Sequence, residues 1–177
     1  GEFVFLRSYA RWIESEQRRE TWVEAVDRYV AYMKKNLGDK LADKEYAEVR
    51  EAILNQDVMP SMRAMQFAGP AADRCNVCLY NCSFIAPTKV EDFAEIMYVS
   101  MCGSGVGFSV ESENVQQLPY IQRQTGKKLP VHVVADSKEG WCDALTLGLK
   151  TWFDGKDIEF DYSLVRPAGA RLKVMGG

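Results

Sequence analysis

The sequence has no apolar run of membrane-spanning length, and its opening residues lack the basic-then-apolar pattern of a secretory signal. The expected setting is therefore the cytoplasm, with no membrane partner. A clustered basic face is also missing. The 22 Lys and Arg are outweighed by 25 Asp and Glu, for a net charge of -3, so nothing points to a nucleic-acid surface. An anionic ligand must then be held by a few placed groups rather than by a general positive field. Histidine is almost absent, with His132 alone, and no second Cys-x-x-Cys exists. Both shortages weigh against a closed zinc site, which needs four ligands. The five cysteines, Cys75, Cys78, Cys82, Cys102 and Cys142, are odd in number, which argues against a structural disulfide framework. There is no internal repeat, low-complexity tract or long linker. A length of 177 residues suits one domain with a real core and is short for two ordinary ones.

What is present alternates between helical and extended signals. Thr21-Trp22-Val23-Glu24 has capping-box spacing, with Trp22, Val26, Tyr29, Val30 and Met33 on one helical face. Asn36-Leu37-Gly38-Asp39 ends that helix. Asp43 opens another, with Tyr46, Val49 and Ile53 inward and Pro60 as its stop. Cys78 to Ile85 reads as a mostly buried strand. Thr88-Lys89-Val90-Glu91 is a second capping box, starting a helix with Phe93, Ile96, Met97 and Met101 on its apolar side. Gly103-Ser104-Gly105-Val106-Gly107 breaks that helix, and Phe108-Ser109-Val110 is expected as the next strand. Val131 to Val134 is a short strand leading into Asp136-Ser137-Lys138-Glu139, a third helix opening, with Trp141, Ala144, Leu145, Leu149 and Trp152 on the buried face. The alternation predicts an α/β fold.

Several residues carry chemical potential, each with a plainer reading beside it. Cys82 is either a buried structural cysteine or a thiol at a strand end that exchanges electrons. The second role needs another thiol, because two-electron reduction by thiols ends in a disulfide. Cys75-x-x-Cys78-x-x-x-Cys82 also has the form of a partial zinc or redox motif. The glycine stretch resembles a phosphate loop, but here a helix precedes it and a strand follows, the reverse of a dinucleotide fingerprint. Backbone kept bare for the close approach of a ligand or a strand fits it better. Ser61, beside Pro60 and ahead of Arg63, suits a phosphate oxygen or a self-capped turn. Arg166, Arg171 and Lys173 suit a nucleotide phosphate or plain solvated surface.

The order and wording of these pieces resemble the ribonucleotide reductases, particularly the adenosylcobalamin-dependent ribonucleoside-triphosphate type. The resemblance rests on Arg7-Ser8-Tyr9-Ala10-Arg11-Trp12, Arg18-Arg19-Glu20-Thr21-Trp22, Met59-Pro60-Ser61-Met62-Arg63 and Tyr80-Asn81-Cys82-Ser83. It continues through Gly103 to Glu111, Asp136-Ser137-Lys138-Glu139-Gly140-Trp141 and Val165-Arg166-Pro167-Ala168-Gly169-Ala170. It implies N-terminal helices over 1–57 and the first part of a ten-stranded α/β barrel over 58–177. An insertion at about 112–164 would imitate the neighbouring subunit of dimeric members. Cys82 would be one of the thiols that reduce the substrate. Ser61, Asn81, Gly103, Ser104 and Gly105 would meet the ribonucleotide. Asp136, Ser137 and Lys138 would face Arg166, Arg171 and Lys173 across a deoxynucleotide effector.

The family's reaction replaces the ribose 2′-hydroxyl with hydrogen by thiyl-radical chemistry. Its radical cysteine and the partner of Cys82 lie further along the chain, so the resemblance implies completion by a C-terminal remainder that also holds most of the adenosylcobalamin. A thioredoxin-like protein is the implied external reductant. Cys75 and Cys78 depart from the family pattern, and surface thiols are the simplest expectation for them. Two other readings stay open: a reductase served by a separate metal-bearing radical subunit, and a non-catalytic nucleotide-binding module with zinc on Cys75, Cys78 and Cys82.

Overall fold

Thr21 sets the start of the longest helix near the N-terminus, as its spacing from Glu24 requires. In a computed structural model, which describes residues 1–170, Glu24 N–H donates to Thr21 Oγ1 at 3.3 Å, and Thr21 N–H donates to the Glu24 carboxylate at 2.7 Å. The chain divides into two compact units between Leu79 and Tyr80, where length alone suggested one domain.

The first unit runs through α1 (Glu2–Ser8), an antiparallel pair β1 (Trp12–Ile13) and β2 (Arg18–Arg19), α2 (Trp22–Leu37), α3 (Asp43–Leu54), α4 (Met62–Phe67) and α5 (Pro70–Arg74). α2 ends where the turn residues place it, at Gly38 with φ +55°. α3 starts at Asp43 as expected, yet stops at Leu54, ahead of Pro60; Gln56 at φ +64° turns the chain first. Tyr46 and Ile53 are buried, while Val49 on the same stripe is exposed, so the buried seam is narrower than the periodicity implied. Ala25, Val26, Ile53 and Met65 form the core, with Phe5 edge-on to Trp22 at 5.5 Å. The least exposed of this unit's ion pairs joins Arg28 to Glu20. Arg28 Nε donates to Glu20 at 2.8 Å, and its other donors reach the carbonyls of Met65 and Ala68 at 3.0 Å. With its donors met, this buried pair ties α2 to the α4 segment.

The second unit is built from two strand–helix–strand passages. β3 (Cys82–Ile85), α6 (Val90–Met101) and β4 (Gly105–Phe108) make the first, with β3 and β4 parallel. After α7 (Ser112–Val115), the parallel strands β5 (His132–Val133) and β6 (Phe160–Asp161) flank α8 (Lys138–Phe153). The N–H groups of Gln122, Thr125 and Leu129 donate to the carbonyls of Phe153, Gly155 and Asp157, lengthening this second ribbon beyond its named strands. α6 and α8 pack together. Parallel strands joined through helices are the α/β arrangement expected. Among the described residues each sheet has two strands, a fragment of a barrel rather than a closed one.

Three expectations shift. The buried strand expected over Cys78–Ile85 begins only at Cys82, because Asn76–Leu79 coil into a 3-10 turn, and Cys82 and Phe84 are exposed. The strand expected at Phe108–Val110 lies earlier, on the glycine stretch itself, because backbone pairing with β3 outweighs local propensity there. At α6 the capping carboxylate is Asp92 rather than Glu91. Asp92 accepts from the N–H groups of Thr88 at 2.8 Å and Lys89 at 3.1 Å, while Glu91 pairs with Lys150 at 2.5 Å. At α8 the cap is Ser137, accepting from Gly140 N–H at 2.9 Å, one residue after the Asp136 that the capping-box spacing with Glu139 offered.

Candidate functional site

The β3–α6–β4 passage places the predicted thiol beside the predicted bare backbone. Cys82 opens β3 and is exposed, so the buried-structural reading of it falls. Its partner across the parallel pair is Gly105. Gly105 N–H donates to Asn81 O at 2.8 Å, and Ser83 Oγ donates to Gly105 O at 3.3 Å, which fixes the register at the strand start. Gly103 needs to be glycine for conformation, at φ +89°. Gly105 does not: a Cβ there would meet only Asn81 O, at 3.5 Å, an ordinary contact. Nothing in the packing of the described residues demands its bareness. Ser104, between them, is buried, and its Oγ has no hydrogen-bond partner among the described residues. The corner thus combines an exposed thiol, an open strand backbone and an unsatisfied hydroxyl. Ser61 sits in the first unit and caps α4 by accepting from Ala64 N–H at 3.4 Å, the self-capped turn that its sequence also allowed.

A second cluster forms at the start of α8. Arg166 Nε donates to both carboxylate oxygens of Asp136 at 2.9 Å, so two of the residues predicted to share an effector meet directly. Ser137 is next to them, occupied by its cap. Lys138 turns away from this corner. It is buried, its ammonium donating to Cys102 Sγ at 3.4 Å and lying 5.3 Å from the centre of the Tyr98 ring. Arg171 and Lys173 lie outside the described residues. Two groups went unnoticed in the sequence. One is the Lys138–Cys102 contact. The other is the stack of Trp141 on Tyr162, at 5.8 Å between ring centres, which joins the two segments that carry Asp136 and Arg166. Tyr162 follows a two-residue strand, too short for periodicity to reveal its facing.

Cys75 is half-buried and Cys78 fully buried, which corrects the expectation of surface thiols. Among the described residues no three His, Cys, Asp or Glu side chains are placed to hold a metal ion. No described helix is long and apolar enough to cross a membrane.

Comparison with known proteins gives the fold and the relatives it is similar to. Residues 1–69 match the ribonucleotide reductase alpha domain. The whole chain superposes on part of a crystal structure of a B12-dependent, class II ribonucleotide reductase, with a TM-score of 0.82 and 24% identity, covering 34% of that chain. The fold is therefore that of a segment of a class II ribonucleotide reductase. The curated relatives are adenosylcobalamin-dependent ribonucleoside-triphosphate reductases, similar over this chain's full length. That of Euglena gracilis is 29% identical, that of Lactobacillus leichmannii 25%, and a putative one from Mycobacterium phage D29 27%. The chain spans 27%, 33% and 30% of their respective lengths.

A cavity of about 870 Å³ in the first unit has a mainly apolar wall that includes Phe5, Leu6, Trp22, Met59 and Met62. Arg18, Glu20, Thr21 and Gln56 line it as well, and no cobalamin-binding residue is assigned here.

Proposed function

We propose that this chain is the N-terminal part of an adenosylcobalamin-dependent ribonucleoside-triphosphate reductase, contributing one reducing thiol and part of the substrate surface. The observation that carries the proposal is the pairing of exposed Cys82 with Gly105. A reducing thiol must reach the ribose, and the ribose must come close to backbone. Cys82 supplies one electron equivalent of the pair that replaces the 2′-hydroxyl, and it ends in a disulfide with a cysteine of the remainder. Asn81, Gly103, Ser104 and Gly105 line the substrate, with the buried Ser104 hydroxyl as a donor to it; Ser61 is a substrate contact on the resemblance alone. Adenosylcobalamin, held by the remainder, is the radical source. A dithiol protein of the thioredoxin kind restores Cys82, and the site of action is cytoplasmic.

In the same reading, residues 1–57 are scaffold, 58–177 begin the barrel, and the stretch at about 112–164 stands in for a second subunit. A deoxynucleotide effector would take up Arg166 and Asp136, with Ser137 beside them; the resemblance adds Arg171 and Lys173 to its contacts. The Asp136–Arg166 pair supports this, because it presents a guanidinium already oriented and partly exposed.

The test is an assay of CTP and ATP reduction with dithiol, using this chain together with the downstream remainder, with and without adenosylcobalamin. Deoxynucleotide formation that depends on cobalamin and is abolished in Cys82→Ser is the expected result. Turnover only with a metal-bearing radical subunit would move the chain to the other reductase class. Stoichiometric zinc lost with Cys75, Cys78 or Cys82 would favour the binding module.

A further inference from the structure

The buried contact between Lys138 and Cys102 has no part in the reaction above. Cys102 caps the C-terminal end of α6 and has no exposed surface; Lys138 is the first residue of α8 and 5% exposed. The ammonium is 3.4 Å from the sulfur. A lysine is rarely buried unless something within reach engages its charge. Here the Tyr98 ring, 5.3 Å away, and the sulfur do so. The thiolate is the form of a cysteine that reacts with peroxide.

We propose that Cys102 and Lys138 form a site of reversible oxidative cross-linking, in which hydrogen peroxide converts the contact into a sulfenamide. In the first step the Cys102 thiolate attacks one peroxide oxygen. A sulfur–oxygen bond forms, the oxygen–oxygen bond breaks, and the Lys138 ammonium gives its proton to the departing hydroxide. The products are a sulfenic acid, water and a neutral amine. Sulfur has lost two electrons and peroxide has gained them. In the second step the Lys138 amine attacks that sulfur, a sulfur–nitrogen bond replaces the sulfur–oxygen bond, and a second water leaves. The same lysine thus serves as acid and then as nucleophile, which its position at the sulfur allows without a further group. A dithiol reverses the bond, releasing the amine and the thiol.

The link would join the end of α6 to the start of α8. Cys102 is followed directly by the Gly103–Gly107 stretch, and Lys138 follows the Ser137 cap. Oxidation would therefore fasten together the two segments to which substrate and effector contacts are assigned. The cross-link itself stands on the Cys102–Lys138 geometry and does not depend on those assignments.

The test is peptide mapping of the full chain after mild peroxide treatment in native buffer, with and without later dithiol. The expected result is a Cys102 peptide joined to a Lys138 peptide, lighter by two hydrogens than the sum of the pair, uncleaved by trypsin at Lys138 and released by dithiol. Chain treated in denaturant should lack it, and so should Cys102→Ser and Lys138→Arg. Cys102 carried to sulfinic acid while trypsin still cuts at Lys138 would overturn the proposal. So would Cys102 left unoxidised when the exposed Cys82 is fully oxidised. Both of those readings come from the unsubstituted chain, so they hold even if a variant fails to fold.

Discussion

At the scale of single residues, Gly105 separates packing from function more cleanly than Cys82 does. Its missing Cβ is not required by any neighbour among the described residues. Gly105→Ala should leave the melting temperature unchanged or slightly raised, since alanine restricts the unfolded strand. In the complete reductase the same change should raise KM for the ribonucleotide, because the new methyl stands where the substrate meets backbone. Unaltered kinetics would place the substrate elsewhere. Asp136 tests the effector corner. Asp136→Ala frees Arg166 from its present partner and removes a proposed ligand contact, so a deoxynucleotide titration should weaken. An unchanged titration would remove Asp136 from that site. Glu24 gives a pH signature. The Arg18 guanidinium, then the Thr21 backbone N–H, hold its carboxyl down to about 2 from an ordinary 4.5. A carboxyl depressed on folding stabilises above its unfolded value and loses that contribution as pH falls toward its folded one. The stability difference between the chain and Glu24→Gln should therefore be constant near neutrality and close between about pH 4.5 and 2. The group is exposed, so the difference will be small.

At the scale of elements, caps and seams carry the stability. Asp92 takes two backbone N–H groups at the start of α6, so Asp92→Ala should cost about 1 kcal/mol in denaturant unfolding, within the range known for N-terminal caps. Glu91→Ala, at the position the sequence favoured, should cost less, because its Lys150 partner lies on an exposed surface. Ile53→Ala, in the core of the first unit, should cost about 2–5 kcal/mol.

The same elements show what could be read in advance. Thr21 was legible because a capping hydroxyl acts within three residues of its own position, whereas at α8 the adjacent Ser137 took the cap that the spacing gave to Asp136. The one-residue error at Asp92 arose because Glu91 and Asp92 are chemically equivalent there, and only the helix start chooses between them. The strand at Gly105–Phe108 was misplaced because its existence depends on pairing with β3, a contact 23 residues away. Cys82, Asn81 and the glycine stretch were recognised as a set through wording shared with a family. Lys138 was assigned to the effector corner by its neighbours in sequence. Which way the first side chain of a helix turns is settled by what packs beneath it, here Tyr98 and Cys102.

At the scale of the whole molecule, the second unit exposes more carbon than a finished surface does. Tyr80, Phe84, Phe108 and Val110 are each more than half exposed, clustered on or beside β3 and β4. Two-stranded parallel sheets are marginal alone, and their unpaired edges invite further strands. If the remainder of a reductase barrel covers this surface, the chain by itself should self-associate in light scattering, and co-production with the remainder should suppress that. A monodisperse, cooperatively melting monomer would mean that the surface is stable uncovered.

The central claim is that Cys82 delivers electrons to the substrate, and a single turnover tests it most directly. The complete protein, pre-reduced and freed of external dithiol, would be given ribonucleoside triphosphate and adenosylcobalamin, then alkylated and mapped. The account predicts that Cys82 escapes alkylation in proportion to the deoxynucleotide formed and is recovered in a disulfide. Deoxynucleotide formed while Cys82 remains fully alkylated would contradict it.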